Sequence, residues 1–214
     1  MTGITHSLPT LTGLEPEDAK AALRGYLRSR RQERSLRRRT DAGDAIAIVG
    51  SNFVAGQNAT RVAIYASRPT EPTTEPLLQR LEAAGVELLL PVLGDGLQRQ
   101  WATFKGLDDL VERAPGRPPE PSGPSLPMEE IARADVIFAP ALAVDTRGCR
   151  LGQGGGWYDR ALSHVNPDAT ILAIVFDDEV FSSDEIELPC EDHDRFVHGA
   201  LTPNGVRWFS DETR

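Results

Sequence analysis

The amino-acid sequence predicts a single α/β domain built on a mainly parallel sheet. Three observations carry this reading. From Arg61 onward, short apolar runs suited to buried strands alternate with stretches of helical character, the order expected of a parallel α/β sheet. Glycine and proline fall between these runs, where strands and helices must stop. Neither an internal repeat nor a domain-scale linker interrupts the 214 residues. One domain is therefore expected over 1–214, with 1–15 as a flexible N-terminal extension.

In chain order, Pro16 opens the first helix, since proline is well tolerated at the first helical position, and helical character runs to about Arg39. Ala19, Ala22, Leu23, Tyr26 and Leu27 recur at helical spacing and form its expected buried stripe. The tract RSRRQERSLRRR lacks interleaved aromatics and reads as a solvated helix end rather than a nucleic-acid segment. Asp41 to Val54 predicts a second helix, weakened by Gly43 and Gly50. RVAIYAS predicts a buried strand, RPTEPTT a loop, and Glu75 to Ala84 a helix capped by Gly85. VELLLPV is a second strand, ended by Pro91 and the glycines of LGDG, and WATF a short edge strand. Ala114 to Pro127, rich in proline and glycine, predicts an ordered loop. ADVIFAPALAV gives another buried strand, WYDRALSHV a helix, ATILAIVF a strand, and DRFVHGALTPNG a short strand and turn.

Composition narrows the function classes. A net charge of -9 repels a phosphate polymer, which argues against a general nucleic-acid binder. No charged-then-apolar leader opens the chain and no run approaches a membrane span, so a cytoplasmic protein without a membrane partner is expected. Cys149 and Cys190 are too distant for a metal knuckle, and packing rather than a disulfide is expected of them in a reducing compartment. All but two of the 23 basic residues are arginine, which singles out Lys20 and Lys105.

The sharpest feature is RLGQGGGWYDR, from Arg150 to Arg160, set between a strand and a helix. Gly152, Gly154, Gly155 and Gly156 remove side chains, so backbone N–H groups can approach an anion closely. The following helix offers its N-terminus and Arg150 a full charge. The spacing matches neither GxxxxGK[ST] nor GxGxxG. A tight turn rarely needs three consecutive glycines, given their entropy cost. Asp159 would repel a phosphate on this loop unless Mg²⁺ lay between them; otherwise it serves the helix dipole. Glu191, Asp192 and Asp194 are candidates for a second carboxylate.

The glycine run resembles the signature of the 5-formyltetrahydrofolate cyclo-ligase family (5,10-methenyltetrahydrofolate synthetases), R-[LF]-G-x-G-x-G-[YF]-Y-D. The KAALR segment from Lys20, the positions Tyr65, Glu71 and Thr74, the LLLPV strand, and LP.E..D ending at Asp194 agree in order. This resemblance implies a three-layer, Rossmann-like α/β fold, akin to sugar-phosphate isomerases and CoA transferases only by analogy. It implies ATP- and Mg²⁺-dependent closure of 5-formyltetrahydrofolate to 5,10-methenyltetrahydrofolate by a monomer acting on small molecules. Lys20 and Arg24, four apart on one helix face, become ATP phosphate ligands, with Arg150, Leu151, Gly152, Gln153, Gly154, Gly155, Gly156, Trp157 and Tyr158 as the nucleotide loop. Lys20, Arg150 and Tyr158 are the implied catalytic residues. Gln153 to Trp157 also border the folate, together with Arg68, Glu71 and Thr73. Asp159 and Asp194 become the Mg²⁺ ligands.

Four positions depart from the family pattern. Gln153 replaces Tyr or Arg, Trp157 replaces Tyr or Phe, Thr73 stands where an acidic residue is common, and His198 stands in place of a further Asp. Three of these border the folate side, which leaves open a paralogue with another substrate. A non-catalytic nucleotide-binding module is the other alternative, although it would not need both carboxylates. His6, His164, His193 and His198 are scattered and read as structural or solvated.

Overall fold

The computed structural model describes residues 8–93, 98–113 and 117–209. Its helices are α1 (Pro16–Glu33), α2 (Leu36–Gly56), α3 (Glu75–Ala83) and α4 (Trp157–Leu162). Its strands are β1 (Arg61–Ala63), β2 (Glu87–Leu93), β3 (Arg99–Thr103), β4 (Leu110–Val111), β5 (Glu120–Pro121), β6 (Val136–Pro140), β7 (Ala143–Asp145), β8 (Arg150–Leu151), β9 (Thr170–Ile174), β10 (Val180–Phe181), β11 (Gly199–Thr202) and β12 (Gly205–Trp208). Seven form one sheet in the order β12-β11-β9-β6-β1-β2-β3. Its five inner strands are mutually parallel, and only β12 and β3, at the edges, run antiparallel. The expected mainly parallel α/β fold is what forms, and the proline-rich loop lies between strands of one sheet.

Strand order also locates the place where a ligand belongs. The chain moves from β1 outward to β2, then returns to the other side of β1 for β6, β9 and β11. Loops leaving the carboxyl ends of β1 and β6 therefore diverge, opening a crevice at the switch point. The inner strands bury apolar side chains on both faces, among them Val62, Leu89, Ile137, Phe138, Leu172 and Leu201. That accounts for their continuous apolar runs.

α2 packs against α3 and β11, and Gly43 and Gly50 permit this closeness. A methyl group at Gly43 would overlap the Thr73 methyl and lie 2.9 Å from the Thr73 carbonyl oxygen, which is backbone and cannot swing away. Gly43→Ala is expected to destabilise the fold by about 1–3 kcal/mol. Chemical denaturation would register this as a lower midpoint at unchanged slope.

Several expectations are corrected. The first helix stops at Glu33, and Ser35 starts α2, its hydroxyl accepting from the Arg38 N–H at 3.3 Å; a serine satisfies free N–H groups best at such a position. The basic tract is not simply a solvated helix end. Arg31 is fully buried and donates to both Glu179 oxygens, at 2.9 and 2.6 Å. Arg34 stacks on Phe176 at 4.1 Å and pairs with Asp178. These arginines dock the end of α1 onto the turn after β9, and the bidentate contact to Glu179, with a further bond from Arg31 to the Ala141 carbonyl, is what makes the buried pair tolerable. The apolar run from Ala134 to Val144 splits at Ala141–Leu142, because β7 leaves the large sheet to pair with β8 and β10. Arg150 and Leu151 belong to β8 rather than to the glycine loop, and β12 adds a C-terminal hairpin where only a turn was expected. Cys149 and Cys190 are both packed in a small cluster with Leu23, Leu27 and Leu188, as expected, but they are joined as a disulfide, contrary to expectation. The fold brings together two cysteines 41 residues apart, which no local spacing reports. Part of the N-terminal extension, 1–7, lies outside the described residues, as do 114–116 of the proline-rich loop.

Candidate active site

At the switch point sits a cavity of about 470 Å³. Its wall brings together Lys20 and Arg24 of α1, Tyr65, Arg68 and Glu71 after β1, Pro140 at the end of β6, residues 150–159, and Asp194. All but one of the site residues expected from the sequence therefore meet on one surface. The exception is Thr73, which packs against Gly43 of α2 and does not line the cavity. Its position just before the α3 N-cap turns it toward the helix layer, away from the cavity wall where it was expected.

The glycine loop is held by arginines acting on its carbonyls. Arg24 Nε donates to the Gly152 oxygen at 3.1 Å, Arg28 Nη2 to Gln153 at 2.8 Å, and Arg99 Nη2 to Gly155 at 3.1 Å. Gly154 and Gly156 have φ of +96° and +59°, conformations that suit glycine best. Among the described residues, the N–H groups of 152–156 donate to no protein acceptor. A run of backbone donors without partners on a cavity wall is an anion-binding arrangement.

Charges line up in two pairs beside this loop. Lys20, 4% exposed, donates to Asp194 Oδ2 at 2.8 Å and to Glu191 Oε2 at 2.5 Å. Burial works to lower the Lys20 pKa, but the hydrogen bonds and charges of Asp194 and Glu191 outweigh it and raise the value. The hydrogen bond from Lys20 in turn holds Glu191 below its ordinary value. The pair is thus intact across neutral pH; it weakens as pH falls through the Glu191 pKa or rises through that of Lys20. Arg150, buried, donates to Asp159 Oδ1 at 2.5 Å and to the Pro140 carbonyl at 3.0 Å. Two of the three expected phosphate cations, Lys20 and Arg150, are thus matched with an expected metal carboxylate, while Arg24 holds the Gly152 carbonyl.

The folate-side residues form a third group. Glu71 is buried, yet no cation pairs with it among the described residues. Its carboxylate accepts from the Arg68 N–H at 2.9 Å and from Gln153 Nε2 at 3.1 Å. Tyr158 stacks edge-on to Trp101 and Tyr65 and against Trp157. Its hydroxyl has no partner among the described residues, and burial pushes its pKa far up. It stays protonated and is available as a donor, not a base. His198, by contrast, is structural, its Nδ1 accepting from Ile171 N–H at 3.0 Å to tie β11 to β9.

Arg28, Arg99 and Tyr65 join the site without having been expected there from the sequence. Arg28 continues the face of Lys20 and Arg24 by one more helical turn, a signal the spacing does carry. Arg99 lies on an edge strand with no motif around it. Glu191, one of three candidate carboxylates in its segment, shares Lys20 with Asp194.

Comparison with known proteins identifies the family. The family model of the 5-formyltetrahydrofolate cyclo-ligase family matches residues 16–203. The chain is 37% identical over 190 residues to the 5-formyltetrahydrofolate cyclo-ligase of Mycolicibacterium smegmatis, covering 86% of this chain and 94% of that one. To the enzyme of the same name from Escherichia coli K12 it is 30% identical over 186 residues, 84% of this chain and 98% of the other. In structure it matches the 5,10-methenyltetrahydrofolate synthetase of Aquifex aeolicus with a TM-score of 0.73 at 26% identity, covering 90% and 93% of the two chains. With its motif positions gathered on one cavity and its relatives matching nearly end to end, the chain belongs to the 5-formyltetrahydrofolate cyclo-ligase family and is one of its enzymes.

Proposed function

We propose that the chain closes 5-formyltetrahydrofolate to 5,10-methenyltetrahydrofolate, with ATP converted to ADP and phosphate. The observation that carries this is the row of unpartnered N–H groups at 152–156 between two cation–carboxylate pairs. A magnesium nucleotide brings both charges with it: its phosphates can take over Lys20 and Arg150, and its metal Asp194 and Asp159. Hard carboxylates lining one cavity fit Mg²⁺, which needs few protein ligands when phosphate oxygens and water complete its shell. Bound there, Mg²⁺ would neutralise charge on the phosphates.

Chemistry then follows from position. The γ-phosphoryl group transfers to the N5-formyl oxygen, making an iminium phosphate. N10 attacks the activated carbon, its proton is lost, and phosphate leaves with the formyl oxygen. Arg150, Lys20 and the loop N–H groups orient and stabilise the phosphoryl oxygens, and no covalent enzyme intermediate is needed. Glu71 offers two oxygens to the paired N–H donors of a pterin edge, while Arg68 stands exposed at the rim. Tyr158 donates to an oxygen of the reacting phosphoryl group. Tyr158→Phe is expected to lower kcat about tenfold, the worth of one hydrogen bond to a charged acceptor, with stability retained or raised because a buried, unpartnered hydroxyl is removed. Substrate labelled with ¹⁸O in the formyl group tests the route: the label should appear in inorganic phosphate, one per folate closed. Unlabelled phosphate would overturn it.

A further inference from the structure

The Glu71 carboxylate is held by more than its own loop. Gln153 reaches across from the glycine loop and donates Nε2 to Glu71 Oε1 at 3.1 Å. On its other side, Arg28 Nε donates to Gln153 Oε1 at 3.2 Å, and Arg28 Nη2 holds the Gln153 carbonyl at 2.8 Å. A side-chain amide has one donating and one accepting end, and a guanidinium only donates. Arg28 therefore fixes which way the amide faces: its oxygen must turn to Arg28, leaving the NH₂ group for Glu71. Reversed, the amide oxygen would face a buried carboxylate. Guanidinium, amide and carboxylate thus form a polarised chain from α1 to the cavity wall.

We propose that Gln153, oriented by Arg28, is a positioning residue that aims the Glu71 carboxylate at ligands presenting two adjacent N–H donors. The proposal rests on the reading of Glu71 as the acceptor for the pterin edge. One hydrogen from Gln153 and one from the Arg68 N–H occupy one lone pair on each oxygen, which fixes the carboxylate plane and leaves the remaining lone pairs for a paired-donor edge.

The test compares kcat/KM for 5-formyltetrahydrofolate with that for its 2-desamino analogue, which lacks one of the two donors. The ratio cancels any general loosening of the site, which a merely structural role would produce. The native chain should prefer the full substrate by about 10- to 100-fold, the worth of one hydrogen bond to a charged group. Gln153→Leu and Arg28→Gln should each cut the preference to a few-fold, and the double variant should lose no more than either single one, because both act through one chain. If Glu71→Gln abolishes the preference while Gln153→Leu and Arg28→Gln retain it, the positioning proposal is overturned and the reading of Glu71 stands. Loss in Gln153→Leu alone, with Arg28→Gln unchanged, also overturns it, since Gln153 would then meet the ligand directly. If Glu71→Gln retains the preference, the reading of Glu71 fails and the proposal with it.

Discussion

Asp159→Asn and Asp194→Asn are each expected to lower kcat/KM for Mg-ATP by two to three orders of magnitude, about 3–4 kcal/mol. Both side chains line the cavity, from α4 after the glycine loop and from the segment preceding β11. Each is held by a cation, Arg150 and Lys20 respectively. Asparagine keeps the shape and can still accept a hydrogen bond, but loses the charge that attracts a divalent ion. If both serve one Mg²⁺, the double variant should be scarcely worse than either single one. Steady-state kinetics with varied Mg²⁺ would show the deficit partly relieved at high metal concentration. Strictly multiplicative losses would mean that the two carboxylates act separately. Asp159 would then only neutralise Arg150 and favour a helix start.

Lys20→Ala should be nearly as costly for the nucleotide. It removes a buried ammonium expected to meet the phosphates, and leaves Glu191 and Asp194 without their shared cation. Losing one charge-assisted contact costs about 1.5–3 kcal/mol, so KM for ATP should rise about tenfold to hundredfold. Repulsion between two uncompensated carboxylates and the incoming phosphates adds to this. Lys105, the other lysine, is exposed at the end of β3, outside the cavity. Lys105→Ala should leave KM for ATP unchanged, and equal effects in the two variants would remove Lys20 from the nucleotide site.

Much of this is legible in the chain because it is local. Apolar runs mark the inner strands, and the glycine run with its flanking Arg150 and Asp159 marks a candidate ligand loop through residue type and spacing alone. Family likeness adds Lys20 and Asp194, whose meeting across 174 residues no periodicity could report. What stays hidden depends on distant partners. Arg31 reads as one more basic residue in a charged tract, until Glu179, 148 residues away, is seen to bury it. The run from Ala134 to Val144 is uniformly apolar, so nothing in it signals that β7 departs for another sheet. Thr73 lies beside true cavity residues in sequence, but the close packing of α2 at Gly43 draws it away. Arg28 repeats the spacing of Lys20 and Arg24, yet its significance depends on Gln153, which only the folded loop brings within reach.

The proposed coupling of nucleotide cleavage to folate ring closure in this one cavity has a direct optical readout. Near-ultraviolet absorbance of the methenyl product would be followed after mixing the protein with 5-formyltetrahydrofolate, ATP and Mg²⁺. Absorbance should rise only when all three are present, be abolished by EDTA, and be matched by one ADP per folate closed. Product formed at full rate without nucleotide or in EDTA, or ATP consumed with no methenyl signal, would contradict the coupling.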